Sequence, residues 1–207
     1  MRAFFDLARA HGIALIVDET YRDFDSRTGA PHDLFADPDW GDTLIQLYSF
    51  SKAYRLTGHR VGAIVASAAR LAEVEKFLDT VTICPNQLGQ RAALWGMQNL
   101  DTWLAGERLE ILDRRAAITD YFAPLAAQGW DMLGCGAYFA YLKHPFDISS
   151  AALAPRLVRD ASVLMLPGTM FMPADLTAGK TQIRVAFANI DRTGIATLFN
   201  RLANLPY

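Results

Sequence analysis

Cysteine is nearly absent. Cys84 and Cys135 are the two in 207 residues, and their separation matches no metal-ligand or redox spacing. So few thiols exclude a secreted disulfide framework, and a reducing cytoplasm is the expected location. No apolar run is long enough to cross a bilayer, which removes a spanning role. The opening "MRAFFDLARAHG" carries Asp6 and Arg9 within its apolar stripe, so it reads as an amphipathic helix and not as a signal peptide. Neither sign of charge dominates. Twenty basic against 22 acidic residues leave a net charge of −2, which gives no electrostatic reason to expect nucleic acid or an anionic membrane as partner. Internal repeats and low-complexity segments are missing as well. What is present, 52% hydrophobic and 20% charged residues, describes a soluble globular chain of one large or two small domains.

Hydrophobic spacing predicts the elements. Residues 2–11 form a helix stopped by Gly12. "IALIVDE" (13–19) is a continuous apolar run suited to a buried strand of a parallel or mixed sheet. Residues 20–43 read as loop. "TLIQLYSF" (43–50) and "RVGAIVAS" (60–67) are further strands, followed by helices over 68–79 and about 87–98 on either side of Pro85. A long helical pattern covers "AGERLEILDRRAAITDYFAPLAAQG" (105–129), with Pro124 near its end. Then come a strand over 136–144, a helix over 149–161, a short strand over 162–168, and an alternating strand over 181–189. A closing helix over 191–205 follows, with Asp191 as its N-cap. An α/β unit, a connecting helix and a smaller α+β unit result.

Lysine is scarce: Lys52, Lys76, Lys143 and Lys180 are four of the 20 basic residues. Lys76 falls on the wet side of a helix, and Lys143 and Lys180 lie beside turn residues. Lys52 alone ends an apolar strand, in "LYSFSKAYRLTGHRVGAIVAS". In open α/β sheets, ligands sit beyond the carboxyl ends of strands. Two such ends carry polar clusters here, "DETY" (Asp18 to Tyr21) and "SFSK" (Ser49 to Lys52), with Arg60 opening the next strand. A carboxylate, a phenol, hydroxyls, an amine and a guanidinium suit pyridoxal 5'-phosphate. That cofactor needs a lysine for its Schiff base, a carboxylate near the ring nitrogen and charge-assisted donors for its phosphate. Plainer roles exist for each: Asp18 capping a local turn, Ser49 and Ser51 as turn serines, Arg60 in a structural ion pair, and Tyr54, Tyr138 and Phe139 in packing. Arg184 alternates against Ile183, Val185 and Phe187, a phase that by itself places it in solvent.

With "DETY" upstream, "SFSKAYRLTGHRVG" resembles the class I/II pyridoxal-phosphate aminotransferases of fold type I. The resemblance extends through "CGAYFAYL", "LPGTMF" and "QIRVAFAN". It implies a large-domain remnant with a mostly parallel sheet over residues 1–115 and a smaller α+β domain over 116–207. It implies that Lys52 holds the cofactor and acts as the proton-transfer base. Asp18 would pair with the ring nitrogen, Tyr21 with the ring oxygen, and Ser49, Ser51 and Arg60 with the phosphate. Arg184 would clamp the substrate α-carboxylate.

The implied reaction moves an amino group between an amino acid and a 2-oxo acid, in a homodimer. A carbon–sulfur lyase on the same cofactor, or a non-catalytic aminotransferase-like module, would share these residues. Members of the family carry an N-terminal half with a glycine-rich phosphate loop, a ring-stacking aromatic residue and an asparagine. None is located here, so the expectation is a C-terminal portion of an aminotransferase. Met172 replaces the family's usual glycine after Phe171.

Overall fold

Helix α1 (Arg2–Ala10) buries Phe5 and Ala8 on one face. Arg2 and Arg9 lie over the Phe5 ring, 5.3 and 4.6 Å from its centroid, and pair with Asp33 and Asp37. Gly12, at φ +62°, turns the chain out of the helix, a conformation that glycine adopts without penalty. This is a computed structural model; it describes residues 1–205 and divides into two compact units, Met1–Arg108 and Leu109 onward.

The first unit holds a three-stranded sheet in the order β1-β2-β3, formed by β1 (Leu15–Asp18), β2 (Leu44–Ser49) and β3 (Gly62–Val65). β1 and β2 run parallel, pairing Leu15 with Leu44 and Asp18 with Leu47. β3 is antiparallel to β2, with Gly62 opposite Ser49, so the sheet is mixed. Residues 19–43 form the expected loop, tightened by three short 3-10 turns. One of them delivers Leu34 into a core of Phe5, Val17 and Leu44. The apolar run of β1 predicts burial on both faces, yet Ile16 is 60% exposed while Val17 is buried. The alternation of a strand sends neighbouring side chains to opposite faces, and within this unit only one is covered.

Short helix α2 (Phe50–Ala53) follows β2. A second core of Phe50, Val61 and Ala93 joins it to helix α4 (Gln87–Asn99). Gly96 of α4 lies against Tyr54, where a β-carbon would come within 2.8 Å of the ring. Between them, α3 (Ala68–Val81) buries no residue.

Helix α5 (Asp101–Asp120) runs from the first unit into the second. The predicted helix over 105–129 is in fact two, because α6 (Ala123–Ala126) starts afresh with Pro124 in its first turn. Proline lacks the N–H a continuing helix needs but fits a first turn. The expected single strand over 136–144 is a hairpin of β4 (Asp131–Gly136) and β5 (Phe139–Lys143). Ala137 in the turn takes φ +47°.

With β6 (Leu166–Pro167) and β7 (Gln182–Ala186) these strands build an antiparallel sheet ordered β4-β5-β7-β6. The strand expected over 162–168 shrinks to the two residues that pair with β7. Helices α7 (Ser150–Ala161) and α8 (Arg192–Ala203) contribute Leu153, Leu157, Ile195, Phe199 and Leu202 to the buried set. The Asp191 side chain caps α8 by accepting from the Gly194 N–H at 2.7 Å. No helix among the described residues is long and apolar enough to cross a membrane.

Candidate functional site

Strand pairing decides which polar residues share an end of the first sheet. Asp18 closes β1 and Ser49 closes the parallel β2, so both stand at carboxyl ends. Arg60 precedes the antiparallel β3 at Gly62, whose partner is Ser49. Its backbone therefore returns to the same end. Lys52 and Ser51 lie on α2, within one turn of Ser49.

Residues 50–61 close on themselves through a bond from the Phe50 N–H to the Val61 carbonyl at 3.3 Å. Thr57 Oγ1 donates to the Ser51 carbonyl at 3.1 Å, and Arg60 Nη1 donates to the Thr57 carbonyl at 2.9 Å. Arg60 itself takes the left-handed conformation, at φ +53°. At Gly62 a β-carbon would fall 2.7 Å from the Tyr48 carbonyl oxygen, so only glycine lets the strands meet here.

The side chains have local roles as well. Asp18 Oδ1 accepts from the Thr20 N–H at 2.9 Å and from its hydroxyl at 2.6 Å, the turn-capping alternative read from the sequence. The carboxylate is exposed, and a carboxylate's two oxygens can accept about four bonds. Ser49 caps α2, its hydroxyl oxygen accepting from the Ser51 N–H at 3.3 Å. A hydroxyl that accepts keeps its hydrogen to donate. Ser51 is buried, while Tyr21 and Lys52 are half-buried.

Glu19 is the residue that sequence reasoning passed over. Alternation turns it away from Asp18, and it is 6% exposed. Its carboxylate receives Arg22 Nη1 at 3.0 Å and Gln46 Nε2. His32 Nε2 lies 3.0 Å from Oε1, at ion-pair distance but off the line of a hydrogen bond. His32 Nδ1 accepts from the Leu34 N–H at 3.2 Å. One carboxylate thereby ties the long loop and β2 to the end of β1. Close by, Tyr48 donates to Asp23 Oδ2 at 2.7 Å; burial first, and then Asp23, push its phenol far above the ordinary range. The sequence signals were a second acid after Asp18 and a lone glutamine in the apolar β2.

Arg184 belongs to the second unit, at the centre of β7 between Tyr141 of β5 and Leu166 of β6. Its strand phase is the expected one, opposite to buried Ile183 and Val185. Its surroundings are not simply solvent. The guanidinium carbon lies 4.3 Å from the centroid of Phe139 and 4.1 Å from that of Phe171.

The aminotransferase class I and II family profile matches residues 1–202. The aspartate aminotransferase of Sulfolobus acidocaldarius is 24% identical over 199 residues, which cover 92% of this chain and 48% of that protein. Histidinol-phosphate aminotransferase 1 of Bordetella parapertussis is 30% identical over 73% of this chain and 40% of its own length. Among solved structures, the α-aminoadipate aminotransferase LysN of Thermus thermophilus, complexed with N-(5'-phosphopyridoxyl)-L-leucine, superposes with a TM-score of 0.85 at 20% identity. It covers 98% of this chain and 52% of that one. The methionine aminotransferase YbdL of Escherichia coli gives 0.83 at 21% identity, with 99% and 53% covered. The chain spans about half the length of the relatives it matches, and its fold is that of fold type I aminotransferases.

Proposed function

We propose a transaminase role for this chain, which belongs to the aminotransferase class I and II family. In this reading it carries the lysine-bearing part of an enzyme that moves an amino group between an amino acid and a 2-oxo acid. Pyridoxal 5'-phosphate is the cofactor the donor set suits. The supporting observation is the pairing register, which gathers Asp18, Ser49, Lys52 and Arg60 at one end of the first sheet.

When bound, the cofactor supplies an electron sink for the pair left on the substrate Cα. Lys52 would anchor it covalently and would serve as the base that moves the proton between the substrate Cα and the cofactor C4′. Asp18 offers a carboxylate to a protonated ring nitrogen, and Tyr21 a phenol to the ring oxygen. Ser49, Ser51 and Arg60 direct hydroxyl and guanidinium donors at the phosphate. Arg184 receives the substrate carboxylate through a two-pronged bond, which the flat fork of a guanidinium favours over an ammonium.

Borohydride reduction of the cofactor-loaded chain, followed by peptide mass mapping, tests the reading. The expected label lies on the peptide containing Lys52, and Lys52→Ala removes it. A label on Lys76, Lys143 or Lys180 that persists in that variant overturns the assignment.

A further inference from the structure

Arg184 sits in an aromatic slot that strand phase alone does not require. Its two ring contacts come from separate parts of the second unit. Phe139 starts β5, and Phe171 ends the 3-10 turn Gly168–Phe171. That turn is held from beneath, since a β-carbon on Gly179 would come within 2.9 Å of the Gly168 carbonyl carbon. On Gly168 it would come 2.7 Å from Tyr141 Oη and 2.8 Å from Gln182 Cβ. Tyr141 in turn meets the Phe171 ring edge-on, with centroids 6.5 Å apart and planes at 76°. Two glycines thus let the turn approach β5 and β7 closely enough to bring Phe171 onto the guanidinium.

A guanidinium is weakly hydrated on its faces and carries all five N–H donors in its plane. Two rings packed on the guanidinium, with centroids 4.3 and 4.1 Å from its carbon, favour partners at its edges. Nε is buried without a hydrogen-bond partner among the described residues, an orphaned donor on the edge of the guanidinium. An edge-on pair of parallel donors matches a planar carboxylate and suits an uncharged group poorly.

Building on the role given to Arg184 above, we propose that Phe139 and Phe171 are positioning residues: their rings hold the Arg184 guanidinium edge-on, ready to pair with a planar carboxylate. Each ring contributes cation–π attraction to the bound geometry and removes orientations that would otherwise compete.

The test uses the 207-residue chain labelled with ¹⁵N-arginine, with pyruvate as the probe and methyl pyruvate as its uncharged control. Arg184→Lys identifies the Arg184 Nε–H resonance. In the wild type that resonance is expected upfield, in the shielding region of both rings, and to move on addition of pyruvate but not of the ester. Phe139→Leu and Phe171→Leu should each shift it toward the other arginines and weaken pyruvate binding about tenfold, the scale of one cation–π contact. Phe171→Tyr should stay within about twofold of the wild type, because the ring face is retained. Phe171 is 42% exposed, so its leucine variant keeps the fold, which a melting curve checks.

If Arg184→Lys abolishes binding while both leucine variants bind as the wild type does, the positioning role is wrong and the carboxylate role of Arg184 stands. If Arg184→Lys binds pyruvate unchanged, the carboxylate role itself is wrong. A wild-type chain whose Arg184 signal ignores pyruvate overturns the proposed slot.

Discussion

The two units bury their apolar residues very differently. In the second, Trp130, Leu142, Leu153, Leu157, Ile183, Phe187 and Ile195 are almost wholly enclosed, and both flanking helices feed that core. In the first, α3 encloses nothing, Phe77 stands 66% exposed and β1 leaves Ile16 outward. Burying a large apolar side chain is worth about 1.5–3 kcal/mol, so the second unit holds its stabilisation in packing. The first relies more on specific polar ties, above all the carboxylate of Glu19. Two regions of one chain thus reach order by different routes, and they should fail differently.

The contrast can be broken most directly in the enclosed core. Trp130→Ala should cost the second unit about 3–5 kcal/mol, read by chemical denaturation. Phe77→Ala in α3 should stay within about 0.5 kcal/mol. Equal losses would mean that exposure does not separate the two regions. Next in size, Glu19→Ala strips Arg22, Gln46 and His32 of a shared carboxylate and should cost about 3 kcal/mol. Glu19→Gln should recover part of it, and a negligible loss in the alanine variant would remove the distinction drawn for the first unit.

A third comparison concerns acid. Burial holds the His144 imidazole below its usual pKa of 6.5, against the rings of Trp130 and Phe146. The unfolded chain therefore takes up this proton first. Stability from a neutral His144 is complete above pH 6.5 and falls as the pH drops from there toward the depressed folded value. The slope is at most about 1.4 kcal/mol per pH unit. Denaturation midpoints at about pH 7 and about pH 5.5, on either side of the ordinary imidazole value, should converge in His144→Phe. An unchanged pH profile in that variant would sink the assignment. The smallest effect is expected at the cap of α8, where Asp191→Ala should cost about 1 kcal/mol and Asp191→Asn less.

Much of the fold is legible in the sequence because local chemistry dictates it. Gly12 ends a helix, Asp191 begins one, and the serine-flanked Lys52 marks the end of a strand. The family resemblance drawn from that stretch agrees with the match over residues 1–202. What stays hidden depends on residues distant in sequence. Pro124 reads as a tolerated interruption until the chain is seen to restart on it. The hairpin turn is made by Ala137 in a left-handed conformation, with no glycine–asparagine pair to signal it. Glu19 finds His32 across a loop and Gln46 on another strand. Arg184 meets rings that lie 45 and 13 residues earlier in the chain, a clasp no periodicity encodes.

The bond between the Phe50 N–H and the Val61 carbonyl has a consequence of its own. It pinches off the segment bearing Lys52 and Arg60, so that amine and guanidinium ride on a single small cassette. Drift of the surrounding sheet carries the two together and preserves their span. An insertion inside the cassette alters that span at once, whereas one in the outer loops leaves it intact.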